Sequence, residues 1–218
     1  LDYLAWRGDL SLGLVPFGPV DGLILSALSY LHFDGLVPEG PDASVPLGRA
    51  AEHYLALPSH RRGRCRCEAD LSLLRALAAS PRFARLELCA RADRFVPREE
   101  TQFAALTALL EDGSAYLAFR GTDGTLVGWK EDFNLSFLDV VPAQLEAAEY
   151  IQAVSRAFPG PMRLGGHSKG GNLAVVGGAL SPPKIRDRIE TVWSFDGPGL
   201  NPYLLVRPGY QELRTRIR

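Results

Sequence analysis

The sequence predicts an α/β fold: a mainly parallel sheet with helices on both faces, behind a helical N-terminal segment. Three observations carry that expectation. From residue 115 onward the chain reads strand, loop, helix, strand, helix, strand, the order that builds a parallel sheet with covering helices. Between residues 85 and 93, apolar and charged residues alternate with the period of two that a strand imposes. Across 218 residues, 46% are hydrophobic and 22% charged, a globular balance that argues against disorder.

The elements follow in order. Leu23, Ile24, Ala27, Leu28 and Leu31 recur at helical spacing, with Asp21 placed to cap the helix. Residues 34–48 read as loop, punctuated by Gly35, Pro38, Gly40, Pro41, Pro46 and Gly48. Short helices follow near 47–57 and 70–79. The basic run Arg61-Arg62-Gly63-Arg64 between them reads as a solvated loop. Leu86, Leu88, Ala90 and Ala92 then alternate with Arg85, Glu87, Arg91 and Asp93 as a strand. Phe103 to Leu110 is a second strand, and Ala115 to Phe119 a third. The turn between them is Asp112-Gly113, because this pair tolerates positive φ. Pro142 to Phe158 has helical periodicity, Met162 to Leu164 is a short strand, Gly171 to Leu180 an apolar helix, and Thr191 to Phe195 a further strand. One domain is expected over 1–218, mostly helical over 1–84 and a sheet core over 85–218.

Charge and composition exclude several function classes. Lys and Arg number 24 against 25 Asp and Glu, a net charge of −1, so no basic field exists to attract nucleic acid. No apolar run approaches the roughly 20 residues of a membrane span, so no integral membrane segment is expected. The chain opens Leu1-Asp2-Tyr3, without the basic and apolar regions of a leader. Cys65, Cys67 and Cys89 make an odd count, which suits a reducing compartment, and a cytoplasmic location is expected. Cys65 and Cys67 form a lone C-x-C, so neither a metal site nor a cofactor is expected.

The chemistry concentrates in Gly166-His167-Ser168-Lys169-Gly170, a G-x-S-x-G between a short strand and an apolar helix. A serine on so tight a turn takes a strained backbone conformation, so residues two before and two after, Gly166 and Gly170, must be small. Its oxygen then projects as a nucleophile, and the following helix N-terminus offers N–H groups to an oxyanion. Lys169 would give one such N–H, its side chain being solvated. Thr122, in the loop after Phe119-Arg120-Gly121, would give the other, with Asp132 fixing that loop. Each has a plainer reading as turn chemistry. Asp196, following the strand Thr191–Phe195, suits either a triad acid or a turn before Gly197-Pro198-Gly199.

The base is unaccounted for. A serine nucleophile of this kind takes its proton acceptor from a histidine after the acid, and no histidine follows Ser168. His32, His53 and His60 read as surface or packing residues, and His167 as structural. The expectation is a chain that stops before its base, which agrees with the lack of an initiator Met.

Several segments together resemble the Mbeg1-like family of bacterial proteins, a branch of the α/β-hydrolase superfamily near the class 3 lipases. They are Leu1-Asp2-Tyr3-Leu4-Ala5-Trp6-Arg7-Gly8-Asp9-Leu10-Ser11, Val20-Asp21-Gly22-Leu23-Ile24-Leu25-Ser26 and Ala118-Phe119-Arg120-Gly121-Thr122-Asp123. Gly128-Trp129-Lys130-Glu131-Asp132-Phe133-Asn134, Gly166-His167-Ser168-Lys169-Gly170-Gly171-Asn172-Leu173-Ala174 and Asp196-Gly197-Pro198-Gly199 complete the set. The resemblance implies an α/β-hydrolase fold and a serine hydrolase, an esterase or lipase acting on a small-molecule ester or acyl substrate. It implies Ser168 as nucleophile and Thr122 as oxyanion residue. Class 3 lipases usually take their acid from a later strand than the one before Asp196. Family members extend past Arg218, where a histidine is expected. A thioesterase, a peptidase and a non-catalytic binding module of the same fold remain alternatives.

Overall fold

The computed structural model describes residues 1–63 and 68–218. The Cys65-x-Cys67 pair and Arg64 of the basic run lie outside the described residues.

The N-terminal part is helical: α1 (Asp2–Arg7), α2 (Pro19–Leu28), then a short strand β1 (Val45–Pro46), α3 (Leu47–Ala56) and α4 (Glu68–Ala79). Asp21 is not the cap of α2. The helix starts two residues earlier, because Pro19 fits its first turn. Asp21 stands at the third helical position, where its carboxylate accepts the Gly18 N–H at 2.9 Å. Its more consequential partner is Arg82, wholly buried, whose Nε and Nη2 reach the two carboxylate oxygens at 2.7 and 2.6 Å. Nη1 of the same side chain donates to Leu10 O and Val15 O, both at 3.0 Å. This single guanidinium thus ties the first loop and α2 to the entry of the sheet.

The sheet core follows as β2 (Glu87–Val96), β3 (Thr101–Leu109), β4 (Ala115–Phe119), α5 (Leu126–Asn134), α6 (Pro142–Ala157), β5 (Met162–His167) and α7 (Lys169–Leu180). It closes with α8 (Pro183–Arg186), β6 (Ile189–Phe195), α9 (Pro202–Leu205) and α10 (Pro208–Leu213). Among the described residues, the six strands lie in chain order, β1 to β6. Strands β4, β5 and β6 run parallel, as the alternation after residue 115 predicts. Strands β1 to β4 pair antiparallel, so the sheet is mixed. For β2–β3 and β3–β4 the reason is connection length: a parallel crossover needs a dozen or more residues, and the β3–β4 link is a tight turn carrying Gly113 at φ +78°.

Period-two alternation divides the core. Tyr116 and Ala118 of β4 pack with Leu25 and Leu28 of α2 on one face. Leu117 and Phe119 pack with Ile151 of α6 and Leu173 of α7 on the other. Helices therefore cover both faces.

Helix α5, like the short helices α1, α8, α9 and α10, is not legible in the sequence. Its apolar residues Leu126, Trp129 and Phe133 are exposed, while its buried residues are Gly128 and Glu131. The usual apolar face is thus absent from the inward side. Its start is held by Thr125, whose Oγ1 accepts the Gly128 N–H at 3.1 Å.

Candidate active site

Ser168 occupies the one-residue turn between β5 and α7 with φ 56° and ψ −132°. Few side-chain-bearing residues adopt that region, and doing so costs about 1–3 kcal/mol. The turn is held on both sides. Ser168 N–H donates to Phe195 O at the end of β6 at 2.9 Å, and Gly171 N–H donates to Ser168 O at 2.8 Å. A Cβ on Gly166 would lie 2.3 Å from the Gly170 carbonyl, and one on Gly170 would lie 2.1 Å from Phe119 O. Backbone approaches this close exclude any side chain at either position.

The strand β4 delivers its following loop to the same place. Gly121 passes so near the turn that a Cβ there would lie 2.6 Å from His167 O. Thr122 comes next, and its Oγ1 donates to Asp132 Oδ2 at 2.5 Å. The Thr122 N–H has no acceptor among the described residues. The Asp123 carboxylate folds back on Thr125 N at 2.9 Å, which closes the loop onto α5. Lys169 is the first residue of α7, so its N–H belongs to those the helix itself leaves unpaired.

The Lys169 side chain corrects the sequence expectation. It is not solvated: it is 1% exposed and runs inward. Nζ donates to Glu131 Oε2 at 2.8 Å, to Gln102 O at 2.8 Å and to Gln102 Oε1 at 2.9 Å. All three ammonium donors are thereby used, and none is left for a ligand. Glu131 is fully buried and accepts from Gln102 N at 3.1 Å and Ala143 N at 3.0 Å as well. Sequence reasoning missed this role for Glu131 because its partner lies 38 positions away.

A cleft of about 680 Å³ opens beside the loop, lined by Tyr30, His32, Arg120, Thr122, Trp129 and Asp132 among others. That volume suits a small organic molecule. Ser168, Lys169 and Asp196 are not part of its lining; Tyr30 of the lining meets the turn, its Oη 3.0 Å from Nδ1 of His167, the residue before Ser168. Asp132 Oδ1 is buried there without a hydrogen-bond partner.

Asp196 follows β6 at φ +52°, next to the residue that holds Ser168, and its side chain is exposed. No histidine is hydrogen-bonded to Asp196 or to Ser168 among the described residues. The His167 ring instead faces Tyr30, Nδ1 to Oη 3.0 Å. His32 stands in the cleft wall with Nδ1 3.7 Å from Asp93 Oδ2, while His53 and His60 are exposed. Among the described residues, no group of His, Cys, Asp and Glu is disposed to hold a metal ion. No helix among them is long and apolar enough to cross a membrane.

A family model described as Mbeg1-like matches residues 77–218, the span that contains the Thr122 loop, α5, the Ser168 turn and Asp196. Neither a curated protein nor a solved structure matches the chain.

Proposed function

The chain belongs to the Mbeg1-like family, and on that premise we propose that it is a serine hydrolase of the α/β-hydrolase type, acting on carboxylic esters through an acyl-enzyme on Ser168. One observation supports the reading above all: Ser168 is held at φ 56° on a strand-to-helix turn whose flanking glycines admit no side chain. Strain of this kind is maintained where an exposed nucleophile is needed.

In the proposed reaction Ser168 Oγ attacks the ester carbonyl carbon and its proton passes to a base. The oxyanion takes hydrogen bonds from the N–H groups of Lys169 and Thr122, each worth about 3 kcal/mol in the transition state. Collapse breaks the ester C–O bond and expels the alcohol. Water then cleaves the acyl-enzyme and returns the serine. Asp132 acts by holding the Thr122 hydroxyl, and Gly166 and Gly170 by admitting the turn. Asp196 is the acid in this proposal. The base is supplied by none of the described histidines at hydrogen-bond range. The proposal includes a small-molecule ester or acyl substrate, no nucleic-acid partner, and a cytoplasmic location, which rests on the odd cysteine count.

A non-catalytic binding module is the second reading. The Ser168 hydroxyl without a histidine partner favours it. Fluorophosphonate labelling of the complete gene product separates the two. The hydrolase reading expects label on the Ser168 peptide and its loss in Ser168→Ala. An unlabelled Ser168, beside a control hydrolase that reacts, overturns the reading.

A further inference from the structure

We propose that Glu131 is a positioning residue of the oxyanion hole, acting through its buried ion pair with Lys169. The inference rests on the hydrolase reading and deepens it.

The pair sits where stability alone does not account for it. Both side chains are almost wholly buried, 1% exposed for Lys169 and 0% for Glu131. Apolar residues of similar volume usually serve a core as well as such a pair does. What the pair supplies is direction. The Glu131 carboxylate joins three elements: Oε2 takes Lys169 Nζ and Gln102 N of β3, while Oε1 takes Ala143 N in the first turn of α6. Lys169 Nζ in turn reaches both oxygens of Gln102. All three Nζ donors meet buried acceptors, so the Lys169 side chain has one position, although Gln102 Nε2 is buried beside them without a partner. Its backbone N–H, next in the chain to Ser168, is fixed with it.

The neighbouring residue completes the argument. Consecutive residues on a helix diverge by about 100°. On α5, Glu131 therefore points to Lys169 while Asp132 points to Thr122. The two residues whose N–H groups are proposed to meet the oxyanion are thus held by adjacent carboxylates of one short helix. Gln102 adds a second tie, since its Oε1 also accepts Asp123 N at 3.4 Å. A displacement of α5 would move both donors together.

The test uses the complete gene product, a chromogenic ester, and a boronic acid that forms a tetrahedral adduct with the serine. Glu131→Gln removes the charge and keeps the shape. The expected result is a kcat lowered by about 10-fold or more with KM within about twofold, and boronic acid affinity lowered in parallel. Glu131→Asp, which retracts the carboxylate by one methylene, is expected to lower kcat in the same way with a small change in melting temperature. It decides the matter if Glu131→Gln does not fold. An unchanged kcat and adduct affinity in the folded variants, with only the melting temperature lowered, overturns the positioning role and leaves the hydrolase reading standing. A wild-type protein that neither labels nor turns over ester overturns both.

Discussion

Replacing Gly166 by alanine tests the steric basis of the Ser168 turn. The added Cβ would stand 2.3 Å from the carbonyl carbon and oxygen of Gly170 and 2.6 Å from Phe119 O. Real Cβ contacts essentially never fall below 3.0 Å, so something must move by about 0.7 Å. All three atoms are backbone, in α7 and β4, and no side chain can rotate out of the way. Overpacking of this kind costs about 1–3 kcal/mol. For a chain of this size that is a fall in melting temperature of roughly 2–12 °C. A reacting group displaced by about 1 Å loses on the order of 100-fold in rate. The assay is the rate of fluorophosphonate labelling, read beside a thermal melt. Gly124→Ala is the control: Gly124 lies on the exposed edge of the cleft, and a Cβ there would meet nothing within 4 Å, so both readouts should stay near wild type. Wild-type labelling and melting in Gly166→Ala would refute the argument that close backbone approach shapes the turn.

Two further outcomes can be measured. Arg82→Met leaves the Asp21 carboxylate buried without its cationic partner, which should lower unfolding free energy by about 3–5 kcal/mol in urea melts; an unchanged midpoint would mean the clamp contributes nothing. Burial, with the nearby Glu87 charge adding to it, pushes the Cys89 thiol up to about 11. Between its ordinary 9.0 and that value the folded chain keeps a proton the unfolded chain has lost, so stability falls as pH rises through this window. At pH 8 the native Cys89 should resist iodoacetamide and should react once unfolded in urea, as peptide mass mapping would show; rapid native alkylation would contradict the burial.

Local features were the legible ones. The strand over β4 and the helix over α6 follow from period and punctuation, and their observed bounds match the sequence reading within a residue or two. The small residues around Ser168 also follow from the sequence in part, because Gly166 and Gly170 crowd each other across the turn itself, whereas their approach to Phe119 O of β4 is tertiary. By contrast α5 hides from periodicity, since its inward residue is a glutamate and its aromatic residues face solvent. Strand β2 runs to Val96, past the alternating stretch, because its outer half needs only pairing with β3 and no buried face.

The sequence by itself determined the α/β class, the parallel order of β4, β5 and β6, and the glycine-flanked serine between strand and helix. Each is encoded in residues close together along the chain. The tertiary structure decided what Lys169 does. A lysine beside a nucleophile reads as a solvated cation, because charge favours water unless a partner is at hand. That partner, Glu131, arrives only when α5 folds against β3, and Gln102 of β3 supplies the remaining acceptors. Whether a charge is buried depends on what the fold brings to it from a distance, and local sequence does not contain that.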